Sequence, residues 1–318
     1  MSTPAIVDNN LGAEGLVIVE LIDVHTGDKR VVEQHNAITT GLLETIVDWV
    51  RGTSPAVPDY IALASGAVTL NDSTTQDSEL TLTDAVAGAG QQLAQGIQVS
   101  AEYTIGSVLL YMKRVGASPG NVYAEIQTDS SGSPSGTAVS GGVSSTVAIN
   151  GIDSLGFEWI RFVFPGNPVL AATTQYHLVL KSNGYTYDSG NVEVQWGTDE
   201  STPGYSGGAA ATYNGSLWSA ASPAADACFR VIRKADAAMT DVEGEVIRNQ
   251  ISSKVEQSST TVRMVAVFGI SEGVGRHNMV GLFNDSSAGT LCAVANIDLE
   301  KTNHEVMNIY WIWKFVAG

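Results

Sequence analysis

The sequence predicts an all-β protein, with a β-sandwich base domain that carries one short helix and an inserted jelly-roll-like β-sandwich. Of 318 residues, 44% are hydrophobic, only 15% are charged and 33 are glycine, a composition that suits many short strands joined by tight turns. Short apolar runs rich in β-branched residues recur along the chain, as expected for strands. The spacing of these runs changes twice, which predicts base-domain parts at 1–90 and 234–318 and an inserted domain at 91–233.

The first part of the base domain reads as a hairpin followed by a helix. Residues 15–24 and 29–35 are strand-like, and the turn between them contains Thr26-Gly27, which predicts a β-hairpin. Over residues 39–51 apolar side chains recur at i, i+4, i+7 and i+8, which predicts one amphipathic helix. A short strand over 60–66, an acidic loop over 71–79 and a linker over 88–90 complete this part.

Strand candidates separated by turn-rich breaks fill the inserted domain, as in a sandwich or jelly roll. They cover residues 95–99, 105–112, 122–127, 159–164, 176–180, 192–196 and 227–232. The second part of the base domain contains further candidates at 242–255, 259–270, 279–283, 290–297 and 306–315. The last one alternates residue by residue and places Ile309, Trp311, Trp313 and Phe315 on one face.

The net charge of −17 argues against two classes of partner. Nucleic acids and anionic membrane surfaces would both repel such a chain. Residues 1–10 have no basic or apolar signal-peptide region, and no apolar run is long enough for a membrane span. We therefore expect synthesis in a cytoplasm.

No catalytic motif stands out, and the chain is predicted not to be an enzyme. There is no G-x-S-x-G elbow, HExxH motif or P-loop. The five histidines are scattered and lack metal-ligand spacing; they are His25, His35, His177, His277 and His304. Cys228 and Cys292 are expected to be buried free thiols, with a single disulfide left open.

No cofactor is expected, although the acidic loops raise the question of a structural calcium ion. The segment 129–131 and the loop 71–79 offer hard oxygen ligands. Neither has EF-hand spacing, so solvated loops are the alternative.

The order of short motifs in the base domain resembles a family of small phage virion proteins described as tail, tail-fibre or baseplate-associated. The motifs are His35-Asn-Ala-Ile-Thr39, Gly41-Leu42, Tyr60-Ile-Ala-Leu63, Gly281-Leu-Phe283, Gly289-Thr-Leu291 and the Trp-rich last strand. The resemblance covers about residues 15–88 and 236–318. It implies a structural component of a tailed-phage virion, in the tail, baseplate or fibre.

The middle segment resembles jelly-roll domains of phage and bacterial surface proteins that look like carbohydrate-binding modules. The resemblance rests on residues 94–97, 105–111, 129–136, Trp159, 176–180 and Trp218. It implies a domain inserted into the base and displayed outward.

Aromatic residues near Gly, Asn and Ser in the inserted domain are the candidate glycan site, because flat rings stack on the apolar faces of sugars. They are Tyr185, Tyr187, Tyr205, Tyr213 and Trp218. The alternative is that these tyrosines only pack turns and that the domain is a spacer.

These observations predict a non-enzymatic virion protein that assembles as a homo-oligomer, with threefold symmetry preferred, and packs with other virion proteins. The alternatives are a carbohydrate-binding adhesin that recognises a host surface glycan, and a capsid decoration protein.

Overall fold

The computed structural model describes residues 11–42, 45, 57–83 and 91–317. Nearly all regular structure in these residues is antiparallel strand, which confirms the predicted all-β sandwich class. Of the predicted helix, Thr40–Leu42 and Thr45 are helical; residues 43–44 and 46–51 lie outside the described part of the chain. The predicted linker at 88–90 also lies outside it.

The chain divides into two compact units, one made of Met1–Gly66 with Ala235–Gly318 and the other of Ala67–Lys234. We call them the base unit and the inserted unit. The inserted unit begins at Ala67 and not at residue 91, because the strands over 67–82 pair within it.

The first sheet of the base unit contains both ends of the described chain, and we call it the terminal sheet. With strands numbered along the chain, its order is β2-β1-β25-β22-β21. The bounds are β1 Leu11–Asp23, β2 Lys29–His35, β21 Ser253–Ser258, β22 Thr261–Phe268 and β25 Glu305–Ala317. The predicted hairpin is confirmed: Asp23 Oδ1 accepts hydrogen bonds from the His25 and Thr26 amides at 2.8 and 2.9 Å, and Gly27 takes the positive φ of +76° that the turn requires.

The second sheet of the base unit has the order β20-β4-β23-β24-β3. Its bounds are β3 Ala37–Ile38, β4 Tyr60–Ala64, β20 Glu245–Gln250, β23 Gly275–Phe283 and β24 Leu291–Lys301. Trp311 of the terminal sheet and Leu63 and Val280 of this sheet belong to one buried cluster, so the two sheets form a sandwich. The opposite face of the second sheet is covered by Met239 and Val242.

The single strand predicted over 242–255 is two strands that lie in different sheets. β20 pairs with β4, whereas β21 pairs with β22. The chain changes sheet at Ile251, whose amide donates to the Asp59 carbonyl at 2.7 Å, and Ser252, whose amide donates to the Val265 carbonyl at 2.8 Å.

The inserted unit is a second sandwich. One sheet, which we call the trench sheet, has the order β10-β9-β14-β7-β16-β17, with β11 paired to β9. Its bounds are β7 Gln92–Ile97, β9 Asn121–Ser130, β10 Ser133–Val143, β11 Val147–Ala148, β14 Tyr176–Asn183, β16 Ala210–Tyr213 and β17 Trp218–Ala220.

The facing sheet has the order β18-β15-β8-β19-β5, with β12 and β13 paired to β8 and β6 paired to β15. Its bounds are β5 Ala67–Asn71, β6 Ser78–Leu82, β8 Tyr103–Val115, β12 Glu158–Val163, β13 Val169–Leu170, β15 Glu193–Asp199, β18 Asp226–Ala227 and β19 Phe229–Arg233. Within the predicted loop 71–79 a 3-10 turn spans Ser73–Thr75, and another spans Ile149–Gly151. Ile126 and Leu178 of the trench sheet and Phe229 of the facing sheet share one core cluster.

The two cysteines lie in different units. Cys228 of the inserted unit and Cys292 of the base unit are both buried and free, as the sequence led us to expect. Burial raises the pKa of each thiol to about 12, so neither is a reactive thiolate.

Candidate functional site

A shallow depression with a volume of ≈ 320 Å³ lies on the trench sheet. Strand alternation places Leu93 and Ile97 of β7 in the core and therefore turns Gly96 to the other face. Directly paired residues lie on the same face of a sheet. His177 is paired with Gly96, and Ala211 is paired with Ala220, so these residues extend that face across the neighbouring strands. We call the depression the Gly/Ala trench, lined by Gly96, Asp129, Gln175, His177, Gly208, Ala209, Ala211 and Ala220.

Small side chains allow a ligand to approach the backbone at the floor of this trench. At Gly96 a Cβ atom would meet Gln175 Nε2 and Gly208 Cα at 3.0 Å each. Gly208 has a φ of +142°, a conformation that favours glycine. Local packing and backbone conformation therefore require glycine at these two positions of the floor.

One side of the trench is formed by a pair of a buried histidine and a partly exposed aspartate. His177 Nε2 lies 2.8 Å from Asp129 Oδ1, and His177 is only 5% exposed. Asp129 also accepts from the Gly132 amide at 3.1 Å, which fixes the β9–β10 turn. The hydrogen bond from His177 is the main reason that the pKa of Asp129 lies below its usual range.

Further polar side chains stand on the same face of β9 and β14. Lys181 Nζ and Gln127 Nε2 each donate to Glu125 Oε2 at 2.7 Å. Gln127 Oε1 accepts from the Gly136 amide at 2.9 Å. These bonds hold the polar side of the face in one conformation, so a ligand need not order it on binding.

An aromatic pair stands on the trench face of the β16–β17 hairpin. Tyr213 lies opposite Trp218 in the register, two residues beyond the Ala211–Ala220 pair, so both rings share the face of the trench. Their centroids are 5.2 Å apart with a tilt of 42°, and both side chains are partly exposed.

The hairpin turn holds this pair in register. Asn214 Oδ1 accepts from the Ser216 and Leu217 amides at 3.0 and 2.9 Å, and Gly215 takes a φ of +92°. The sequence Asn214-Gly215 is a strong local signal for a tight hairpin turn.

The other three aromatic candidates occupy different environments. Tyr185 is buried, and its hydroxyl donates to the Leu82 carbonyl at 2.9 Å and accepts from the Val194 amide at 3.1 Å. The prediction that its ring is displayed for a sugar is therefore wrong, because a loop tyrosine here fills the core between strands. Tyr187 is half-buried and packs against the same core.

Tyr205 also has a structural role. Its ring packs edge-on against Phe229 with centroids 5.0 Å apart. Its hydroxyl lies 2.8 Å from Thr69 Oγ1 and accepts from the Gln98 amide at 3.2 Å. Of the five candidates, the structure thus brings Tyr213 and Trp218 together on the trench face.

Sequence reasoning weighed Asp129 only as a calcium ligand and His177 only as one of five scattered histidines, so it missed both as glycan-site residues. Forty-eight positions separate them, and only the β9–β14 pairing brings them together. No local motif signals such a pair, although alternation in β14 does place His177 on the face opposite Leu178.

Three carboxylates in the proposed calcium loops have protein partners. Asp129 bonds His177, Asp72 bonds Arg230 at 2.9 Å, and Asp77 accepts from the Glu200 amide at 2.8 Å. Across the residues the structure describes, no group of three or more His, Cys, Asp or Glu could hold a metal. A structural calcium ion stays a prediction.

Comparisons with known proteins add little. Neither protein-family models nor curated proteins give a match. A search of solved structures gives a chain of "Structure of infectious bursal disease virus Gt strain", with 9% identity and a TM-score of 0.21. That alignment covers 97% of this chain, which spans 66% of the length of the viral chain; a likeness at this level carries no argument. Within the described ranges, no helix has the length and apolar character needed to span a bilayer.

Proposed function

We propose that this protein is a non-enzymatic structural component of a tailed-phage virion that displays its inserted unit and binds a surface glycan in the Gly/Ala trench. The observation that carries the binding role is the pairing of two features on one sheet face. Aromatic rings stand on the β16–β17 hairpin, and fixed hydrogen-bonding groups stand on β9 and β14.

A sugar presents apolar C–H faces and a rim of hydroxyl groups, and the trench face offers a counterpart to each. Tyr213 and Trp218 supply flat apolar surface. Asp129 supplies a carboxylate acceptor that is 27% exposed, and a small-residue floor lets hydroxyls reach backbone groups.

Charge narrows the ligand class. Among the described residues that line the trench, Asp129 is the acidic one, and the chain as a whole carries −17. Sialylated or uronic-acid-rich glycans would be repelled. The ligand class that fits is a neutral or amine-bearing oligosaccharide.

A shallow site of this size is expected to bind weakly, with a dissociation constant in the millimolar range, or about 4 kcal/mol. Many copies on one particle would raise the avidity by a factor on the order of 10²–10⁴ without a tighter site. Weak single sites are therefore compatible with firm attachment of a virion.

A glycan array probed with the purified full-length protein tests the binding role. Wild-type protein should bind neutral glycans, and Trp218→Ala should abolish the signal. Leu217→Ala is the matched control, since Leu217 is the neighbouring residue and is 68% exposed. Binding that survives Trp218→Ala unchanged would exclude the trench face as the site.

The virion role is supported by the order of base-unit motifs given above. It is tested by immunogold labelling and mass spectrometry of the purified particle. Labels at the tail or baseplate support the proposal, labels spread over the head support a capsid decoration protein, and absence from the particle would contradict both.

A further inference from the structure

The outer face of the terminal sheet is unusually apolar for a sheet face open to solvent. Strand alternation buries Val17, Val19 and Trp311 in the core and turns their neighbours outward. The outward residues line up across the strands in rows such as Glu33–Ile18–Tyr310–Val265. Sheets with one solvated face normally alternate apolar-in and polar-out, and this sheet departs from that pattern.

Apolar side chains on this face, some exposed and some half-buried, reach across all five strands. Val31 on β2, Val267 on β22 and Val255 on β21 are 48%, 42% and 40% exposed. Further apolar residues on the same face are half-buried, namely Leu16, Ile18, Ile22, Val265, Val306 and Ile312. Polar side chains interrupt this face, as where Glu20 and Asn308 stand between Val31 and Val267, but an apolar share this large on an exposed sheet face marks an interaction surface.

The face also differs from the rest of the chain in charge. Its described charged side chains are two acidic and three basic, namely Glu20, Glu33, Lys29, Arg263 and Lys314. The whole chain has 33 acidic and 16 basic residues. This face therefore carries a more balanced charge than the chain as a whole, so two copies that meet through it bring less like charge into close contact than the average surface would.

A groove of ≈ 330 Å³ lies at the centre of the face, lined by Ile18, Glu20, Gln257, Arg263, Tyr310 and Ile312. The Tyr310 hydroxyl donates to Glu20 Oε2 at 2.9 Å, and the Arg263 guanidinium lies 5.7 Å from the Tyr310 ring centroid. Tyr and Arg are the residue types that dominate binding energy at protein interfaces. The groove gives a partner side chain a pre-formed place to insert.

The size of the face fits a second copy of the chain. Five strands spaced about 4.8 Å apart, taken over the seven residues of β2, cover roughly 24 by 23 Å. The flat footprint is therefore about 550 Å², of the same order as the ~800 Å² per partner that a specific interface buries. Two such sheets can pack face to face at a spacing of about 10 Å.

We propose that the outer face of the terminal sheet is the interface through which copies of this chain associate. A self-complementary face of mixed charge pairs by a twofold rotation, with each copy offering the same surface, so this contact gives a dimer and not the threefold assembly preferred from the sequence. Val267 and its neighbours become buried in the assembly.

Sedimentation of the full-length protein over a range of concentrations tests this inference. Wild-type protein should associate, and Val267→Lys should weaken association at least tenfold because it places a charge in the apolar contact. Val163→Lys is the matched control: Val163 is also a strand valine, is 44% exposed, and lies in the inserted unit. Near-UV circular dichroism checks that both variants are folded, and Val31→Lys provides a second variant on the opposite edge of the face.

Association that is lost in Val267→Lys and Val31→Lys but kept in Val163→Lys supports the proposal. A wild-type protein that is monomeric at every concentration would overturn it. So would association that responds equally to Val267→Lys and Val163→Lys, since another surface would then carry the contact.

Discussion

His177 Nε2 and Asp129 Oδ1 lie 2.8 Å apart across neighbouring strands β14 and β9. The pair joins the body of the trench sheet to the β9–β10 turn, because Asp129 also holds the Gly132 amide. It therefore determines the shape of one side of the trench as well as contributing to the stability of the inserted unit.

Replacing Asp129 by Asn should destabilise the protein in a pH-dependent way. The pKa of Asp129 is lowered from 3.8, first by the hydrogen bond from His177. Because the folded-state pKa lies below the unfolded one, the carboxylate adds stability above pH 3.8 that is lost as the pH falls through the folded pKa. Urea unfolding at pH 7 and near pH 3 should show a wild-type advantage at pH 7 that shrinks in acid. An equal advantage at both pH values would contradict this account.

Filling the trench should remove glycan binding without affecting stability. Ala220 is exposed on the trench lining, so Ala220→Trp places an indole where a sugar would lie and disturbs no core contact. Isothermal titration should show loss of binding, and the Tm should stay within about 2 °C. Leu155→Trp is the control, since Leu155 is 91% exposed and lies outside the trench. Retained binding in Ala220→Trp would place the ligand elsewhere.

Thiol labelling should be blocked in the folded protein. Cys228 and Cys292 are buried and free, and burial raises the pKa of each to about 12. At pH 8 a thiol reagent therefore cannot reach either side chain, and both thiols are protonated and unreactive. Ellman's reagent should report no reactive thiol in native protein and two after denaturation. Fast labelling of native protein, or a total of zero after denaturation, would contradict the assignment.

The two cores should respond separately to large-to-small substitution. Trp196 in the inserted unit and Trp311 in the base unit are both fully buried, and each truncation to Ala should cost about 3–5 kcal/mol. Calorimetry should show two transitions, with Trp196→Ala lowering one and Trp311→Ala lowering the other. A single transition lowered equally by both would show that the units do not unfold independently.

Excision of the inserted unit should leave a folded base unit if the cut falls at the structural boundary. Removing residues 67–234 keeps every base-unit strand, whereas a cut at residue 91 would leave β5 and β6 without their partners β19 and β15. Circular dichroism should show β-structure in the first product. A disordered product would contradict the prediction that the base unit folds independently of the inserted unit.

Local pattern predicted much of the fold. The hairpin of β1 and β2 followed from its turn chemistry, and the burial of Ile309, Trp311 and Trp313 followed from alternation in the last strand. The assignment of β5 could not follow from pattern, because Asn71 pairs with Phe229 and no local signal encodes so distant a partner. Sequence likewise could not separate buried Tyr185 from partly exposed Tyr213, since both lie beside glycine or asparagine in turn-rich segments.

The trench itself was beyond sequence reasoning for the same reason. Its floor is assembled from β7, β16 and β17, and its polar wall from β9 and β14. The run Gly207-Gly-Ala-Ala-Ala211 supplies small side chains to the floor. In the sequence alone this run looks like an ordinary loop, because the strand pairing that places it beside β7 is not visible there.

The most direct test of the central claim is a crystal structure of the full-length protein with a bound neutral oligosaccharide. We expect sugar density over Ala211 and Ala220, with one ring stacked on Trp218 and a hydroxyl bonded to Asp129. Density on another surface while the trench holds only solvent would contradict the account.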